Sequence, residues 1–148
     1  MTTARKLAVL LAGITPLIVS CGSNKPSGTE VPLTLSEYAI KVGQTSIGAG
    51  KVTFKAENIG GAEHEIVVLA LDDPKTLTIK ADGSVDEEAI AETAKMGEVE
   101  HIASKTTKSN TFDLKAGTYV LMCNLVNTVN GTTVSHFVKG MVTTVVVA

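Results

Sequence analysis

Ala116-Gly117-Thr118-Tyr119-Val120-Leu121-Met122-Cys123-Asn124-Leu125, followed by His136-Phe137-Val138-Lys139-Gly140-Met141, decides how this chain reads. Side chains alternate across a strand, so a strand that buries Leu121 also turns Tyr119 and Cys123 inward and sends Met122 to the opposite face. Cys123 closes that strand, and Met141 opens the next, Met141-Val142-Thr143-Thr144-Val145-Val146-Val147. One connection therefore carries a thiol, an imidazole and a thioether. A second imidazole, His64, stands far upstream in Gly61-Ala62-Glu63-His64-Glu65, immediately before the apolar run Ile66-Val67-Val68-Leu69-Ala70-Leu71.

Working outward, the chain reads as short strands divided by turn signals. Leu33 to Ile40 is strand-like with imperfect alternation, and Gly48-Ala49-Gly50 is a turn. Val52, Phe54 and Ala56 alternate with Thr53, Lys55 and Glu57, the period of a half-buried strand. Thr111 to Leu114 and Thr118 to Cys123 flank Lys115-Ala116-Gly117, which predicts a hairpin. Strands at this spacing without alternating long helices predict an all-β sandwich. The exception is an insertion between Asp72 and Glu100. There Asp86 is a candidate N-cap, and Ala89, Ala91 and Ala94 favour one short helix over about 86–95. Loops at one pole of a sandwich converge, so His64 can meet the Cys123–Met141 connection.

The first twenty residues read as a secretory signal. Arg5 and Lys6 precede the apolar Leu7 to Val19, which is too short and wrongly flanked for a membrane span. The ending Ile18-Val19-Ser20-Cys21 resembles the lipobox of bacterial lipoproteins, which implies cleavage before Cys21 and a lipid on its sulfur. The alternative is an ordinary cleaved signal with Cys21 left free or removed. Residues 21–30 are rich in Ser, Gly and Pro and read as a flexible tether, leaving 31–148 as one domain. The expected location is extracytoplasmic, at the bacterial cell membrane or envelope through the lipid anchor.

Loss of Arg5 and Lys6 leaves 11 basic residues against 15 acidic ones. Eleven of the acids lie between Glu63 and Glu100, with only Lys75, Lys80 and Lys95 to oppose them. No basic stripe exists to neutralise phosphates, which argues against a nucleic-acid partner. No nucleophile–base arrangement, P-loop or dinucleotide fingerprint appears, so the chain is not read as an enzyme.

With Cys21 lipidated, Cys123 is the only thiol of an exported domain, a context in which cysteines normally pair. It is a metal-bound thiolate, a buried inert side chain, or, less compatibly with the tether, a partner of Cys21. Thiolate, imidazole and thioether together select copper over calcium or magnesium, and two His and one Cys with a weak axial Met form the pattern of electron-transfer copper sites. Glu63 and Glu65 flank His64 and offer a competing oxygen ligand. His101, in Gly97-Glu98-Val99-Glu100-His101, is expected to stand outside the site.

These segments, with Gly50-Lys51-Val52-Thr53-Phe54, resemble the cupredoxins, the plastocyanin–azurin type of small blue copper protein. The resemblance spans most of 31–148 and implies a Greek-key β-sandwich binding one copper. By position it implies His64, Cys123 and His136 as equatorial ligands and Met141 as axial ligand, with Asn58 or Asn124 fixing the loops. It also implies a monomeric one-electron carrier serving a redox protein partner, with His136 on an exposed loop as the electron port. Copper delivery or sequestration is the alternative, and oxidase chemistry lacks residues for a second metal. One departure is the length of the Cys123–His136 connection. Its Asn130-Gly131 pair predicts a small hairpin there.

Overall fold

The computed structural model describes residues 28–148; the signal, most of the tether and Cys21 lie outside them. Ten strands build two facing four-stranded sheets and a separate ribbon. The first sheet comprises β1 (Thr29–Ser36), β2 (Ala39–Val42), β3 (Gly50–Asn58) and β6 (Thr107–Leu114), in the order β2-β1-β3-β6. The second comprises β4 (His64–Leu69), β5 (Lys95–Ile102), β7 (Gly117–Met122) and β10 (Val142–Val147), in the order β10-β7-β4-β5. β8 (Val126–Val129) and β9 (Thr132–Ser135) pair only with each other. β1 runs parallel to β3, and every other strand pair is antiparallel. The chain changes sheet between β3 and β4, β5 and β6, and β6 and β7, which interleaves the sheets in the Greek-key manner.

The main core lies between the sheets. Val31, Leu33 and Leu35 of β1 and Val52, Phe54 and Ala56 of β3 meet Ile66 and Val68 of β4 and Tyr119, Leu121 and Cys123 at β7. Cys123 points inward with Leu121, as the alternation requires. Met122 faces the other way into a second cluster with Val67, Leu69 and Val120, closed over by Val85 and Ile90 of the insertion. The central strands of the second sheet are thus buried on both faces, which is why β4 reads as an uninterrupted apolar run. Each fully buried side chain of this size contributes roughly 1.5–3 kcal/mol.

Several sequence expectations change in detail. The helix expected over 86–95 is two single 3₁₀ turns, Glu87–Ala89 and Glu92–Ala94; Asp86 does cap the first, accepting from the Glu88 amide. The strand expected over 33–40 is broken by a tight turn at Glu37-Tyr38, where Tyr38 adopts a φ of 64°. The two strands about Lys115-Ala116-Gly117 form an arch between sheets rather than a hairpin. β6 pairs with β3 and β7 with β10 and β4, while the Tyr119 hydroxyl donates to the Lys115 carbonyl and pins the corner. β1 begins at Thr29, two residues inside the expected tether. The Asn130-Gly131 hairpin forms as predicted, with φ of 50° and 76°, the positive pair that a two-residue turn of this hand demands.

Candidate metal centre

Three elements deliver the donors to one pole of the sandwich. His64 opens β4, Cys123 follows β7, and His136 follows β9. The His64 and Cys123 positions are set by the second sheet, in which β4 and β7 are neighbours. The His136 position is set by two backbone bonds: its own amide donates to Leu125 O, and its carbonyl accepts from the Met141 amide. The Cys123 amide in turn donates to Met141 O. Met141 is therefore locked between the two other residues of its connection and is fully buried.

The loop before His64 is tied down by buried Asn58, whose amide donates to Ala62 O and Ile102 O while its oxygen accepts from the Gly60 amide. Glu37, in the β1–β2 turn, accepts from the Gly61 and Ala62 amides, and those bonds hold its carboxyl down at about 2. Asn124 accepts from Val85 N and donates to Val85 O and Glu87, fastening the residue after Cys123 to the insertion. Both asparagines thus fix loops, as the resemblance implied.

The geometry of the donors is compact. Nδ1 of His64 and Nδ1 of His136 are 3.2 Å apart, Cys123 Sγ is 3.3 Å from His136 Nδ1, and it is 3.9 Å from His64 Nδ1. The point equidistant from these three atoms lies about 2.0 Å from each, against roughly 2.0–2.1 Å for a zinc–imidazole bond and 2.3 Å for zinc–thiolate. All three residues are buried, His136 at 1% exposure. Burial lowers the pKa of both imidazoles and pushes the Cys123 thiol up to about 11. Two neutral imidazoles and a thiol aimed at one point form a donor set that fits a soft or borderline cation, which would itself favour the thiolate.

Glu63 and Glu65 take no place in this triangle. Glu63 faces exposed His101 at 3.2 Å, and Glu65 accepts from the Asn124 amide. His101 stands apart, as expected. His136 departs from expectation, since it is buried rather than exposed. The long connection folds as the β8–β9 ribbon and brings Asn127 back against the ring, with its amide 2.9 Å from His136 Nε2. Tyr38 covers the ring edge-on, at 5.5 Å between centroids. Nε2 of His64, by contrast, is buried and has no hydrogen-bond partner among the described residues. Sequence reasoning gave Asn127 no role, because nothing in its local pattern shows where the ribbon folds back.

Two facing sheets in this order, with a Cys-His-His cluster at one pole, define the cupredoxin fold. Among solved structures, the chain is similar to reduced auracyanin from the photosynthetic bacterium Roseiflexus castenholzii, with a TM-score of 0.60 and 18% identity over 81% of this chain and 97% of that one. It is also similar to auracyanin A, a "blue" copper protein from Chloroflexus aurantiacus, with a TM-score of 0.54 and 18% identity over 82% and 99%. Rusticyanin from Thiobacillus ferrooxidans gives a TM-score of 0.54 at 14% identity, over 82% and 77%. No protein-family model matches the chain, and no curated protein matches it.

Proposed function

We propose that the protein is an extracytoplasmic one-electron carrier in which His64, Cys123 and His136 would hold a single copper ion, with the Met141 thioether as a fourth, weak donor. The observation that carries this reading is the buried Nδ1–Nδ1–Sγ triangle, whose centre suits a borderline metal ion. Copper supplies the Cu(I)/Cu(II) couple when bound; a thioether beside His₂Cys is the set associated with electron transfer. The chain's own part is to hold the donors in a fixed, dry arrangement. Asn58 and Glu37 anchor the His64 loop, Asn124 anchors the chain just after Cys123, and the Met141 backbone bonds tie Cys123 to His136. Full burial of all four residues opposes ready exchange of the ion, which favours a carrier over a copper-delivery protein.

An electron leaving by way of His136 crosses the side chains of Tyr38 or Asn127, since the ring itself is covered. A lipid on Cys21 would hold the domain at a membrane surface, where several acyl chains, at roughly 0.8 kcal/mol per buried methylene, give stable attachment. The redox partner is a second protein docking on this domain.

The test is a visible absorption titration of the purified protein with Cu(II), alongside Cys123→Ser. An intense thiolate-to-copper band saturating at one equivalent, and absent from the variant, is the expected result. Faint copper bands alone would remove the carrier reading and leave the fold.

A further inference from the structure

The β8–β9 ribbon is the largest departure from a short ligand loop, and its register places one side chain on the far edge of a donor ring. Val126 faces Ser135 and Asn127 faces Val134 across the ribbon. Its base is fastened twice: His136 N donates to Leu125 O, and the Ser135 hydroxyl donates to Gly83 O of the insertion. The ribbon is therefore fastened at its base, and Asn127 is held half-buried with its side-chain nitrogen Nδ2 2.9 Å from His136 Nε2.

An imidazole offers one lone pair to a metal, and the bond at its other nitrogen decides which nitrogen is free. On His136 the two edges are distinct. Nδ1 faces Cys123 Sγ and His64, while among the described residues Nε2 meets Asn127 alone. As placed, the side-chain nitrogen Nδ2 is the atom 2.9 Å from Nε2 and would donate to it; a half-turn about the last side-chain bond exchanges nitrogen and oxygen within nearly the same volume, and Oδ1 then accepts a proton carried on Nε2. His64 receives no such bond, its Nε2 being buried without a partner among the described residues. The two histidines are thus unequally held, and the ribbon makes the difference.

We propose that Asn127 is the positioning residue for His136: its side-chain oxygen accepts from Nε2–H, which fixes the ring and turns the Nδ1 lone pair toward Cys123 and His64. The role toward copper rests on the function proposed above; the role toward the ring does not. The ribbon is then part of the metal centre rather than a decoration of the loop.

The experiment compares Asn127→Leu, which removes the acceptor at similar volume, with Asn127→Asp, which restores one. In the metal-free protein, two-bond ¹H–¹⁵N correlations of the His136 ring should show the Nε2–H tautomer alone in the parent and in Asn127→Asp, and mixed tautomers in Asn127→Leu. In Cu(II) titrations, Asn127→Leu should lose roughly 10- to 100-fold in affinity, with a shifted charge-transfer band, and Asn127→Asp should recover most of it. Both effects together support the proposal. An unchanged tautomer or an unchanged affinity in Asn127→Leu overturns it. If the parent protein takes up no copper, the function above fails, and the ring correlations still decide whether Asn127 sets the tautomer.

Discussion

The Nδ1 atoms of His64 and His136 stand 3.2 Å apart across 72 residues of sequence. Nothing local brings them together. One is delivered by a sheet strand and the other by a ribbon returning over the pole, and burial lowers the pKa of both.

An ion that binds this triangle in the folded protein and not in the unfolded chain must raise stability. At a free concentration 100 times its dissociation constant the gain is about 2.7 kcal/mol, or roughly 10 °C in midpoint for a domain of this length. Differential scanning calorimetry with and without Cu(II) measures it. A chelator should reverse the shift, and His64→Ala should lose most of it.

Met141 is fully buried and locked between Cys123 and His136 by its backbone. Met141→Leu keeps the volume and should cost less than about 1.5 kcal/mol. Removing the thioether takes away one donor, a loss that costs the more highly charged Cu(II) more than Cu(I), so the reduction potential should rise while the thiolate band persists. Cyclic voltammetry decides; an unchanged potential would remove Met141 from the site.

Met122 lies one residue from Cys123 but on the other face, under Val85 and Ile90. Met122→Ala should cost about 2–5 kcal/mol in urea unfolding while leaving the visible spectrum of the copper form intact. Equal damage to the spectrum would mean that the second cluster and the metal centre are not separate.

Glu98 is pushed up to about 7 by burial and by the neighbouring Glu100 and Glu65. The folded state therefore holds this proton more tightly than the unfolded chain, so stability contributed here is greatest below the ordinary carboxylate range. It declines as pH rises toward 7 and is flat above that. Glu98→Gln should be more stable than the parent at pH 8, with the difference shrinking by pH 5. A gap of the same size at both values would refute the assignment.

Much of this was legible in the sequence, because alternation in Tyr119-Val120-Leu121-Met122-Cys123 leaves only one way to bury Leu121, and Asn130-Gly131 admits few backbone shapes. What escaped was non-local. β5 has its buried positions, Val99 and Ile102, three apart, because the register shifts between His64 and Ile66 of its partner strand and His101 turns to a φ of 51°. The arch at Lys115 reads like a hairpin because turn residues are the same whether the two strands pair with each other or with different sheets. The burial of His136 depends on where the ribbon folds, and Tyr38 sits in a turn without the glycine or asparagine that usually marks a positive φ.

Glu37 and Tyr38 are consecutive. The first grips the backbone leading into His64, and the second rests its ring against His136. One peptide unit of the first sheet is thus a tie-rod between two arms that otherwise belong to the opposite side of the sandwich. Any event at that turn, such as a proteolytic nick, a bulky adduct or a docked protein, reaches both imidazoles at once. Among the described residues the turn is thus the one place outside the metal centre from which a single perturbation reaches both histidines, whereas the ribbon reaches His136 alone.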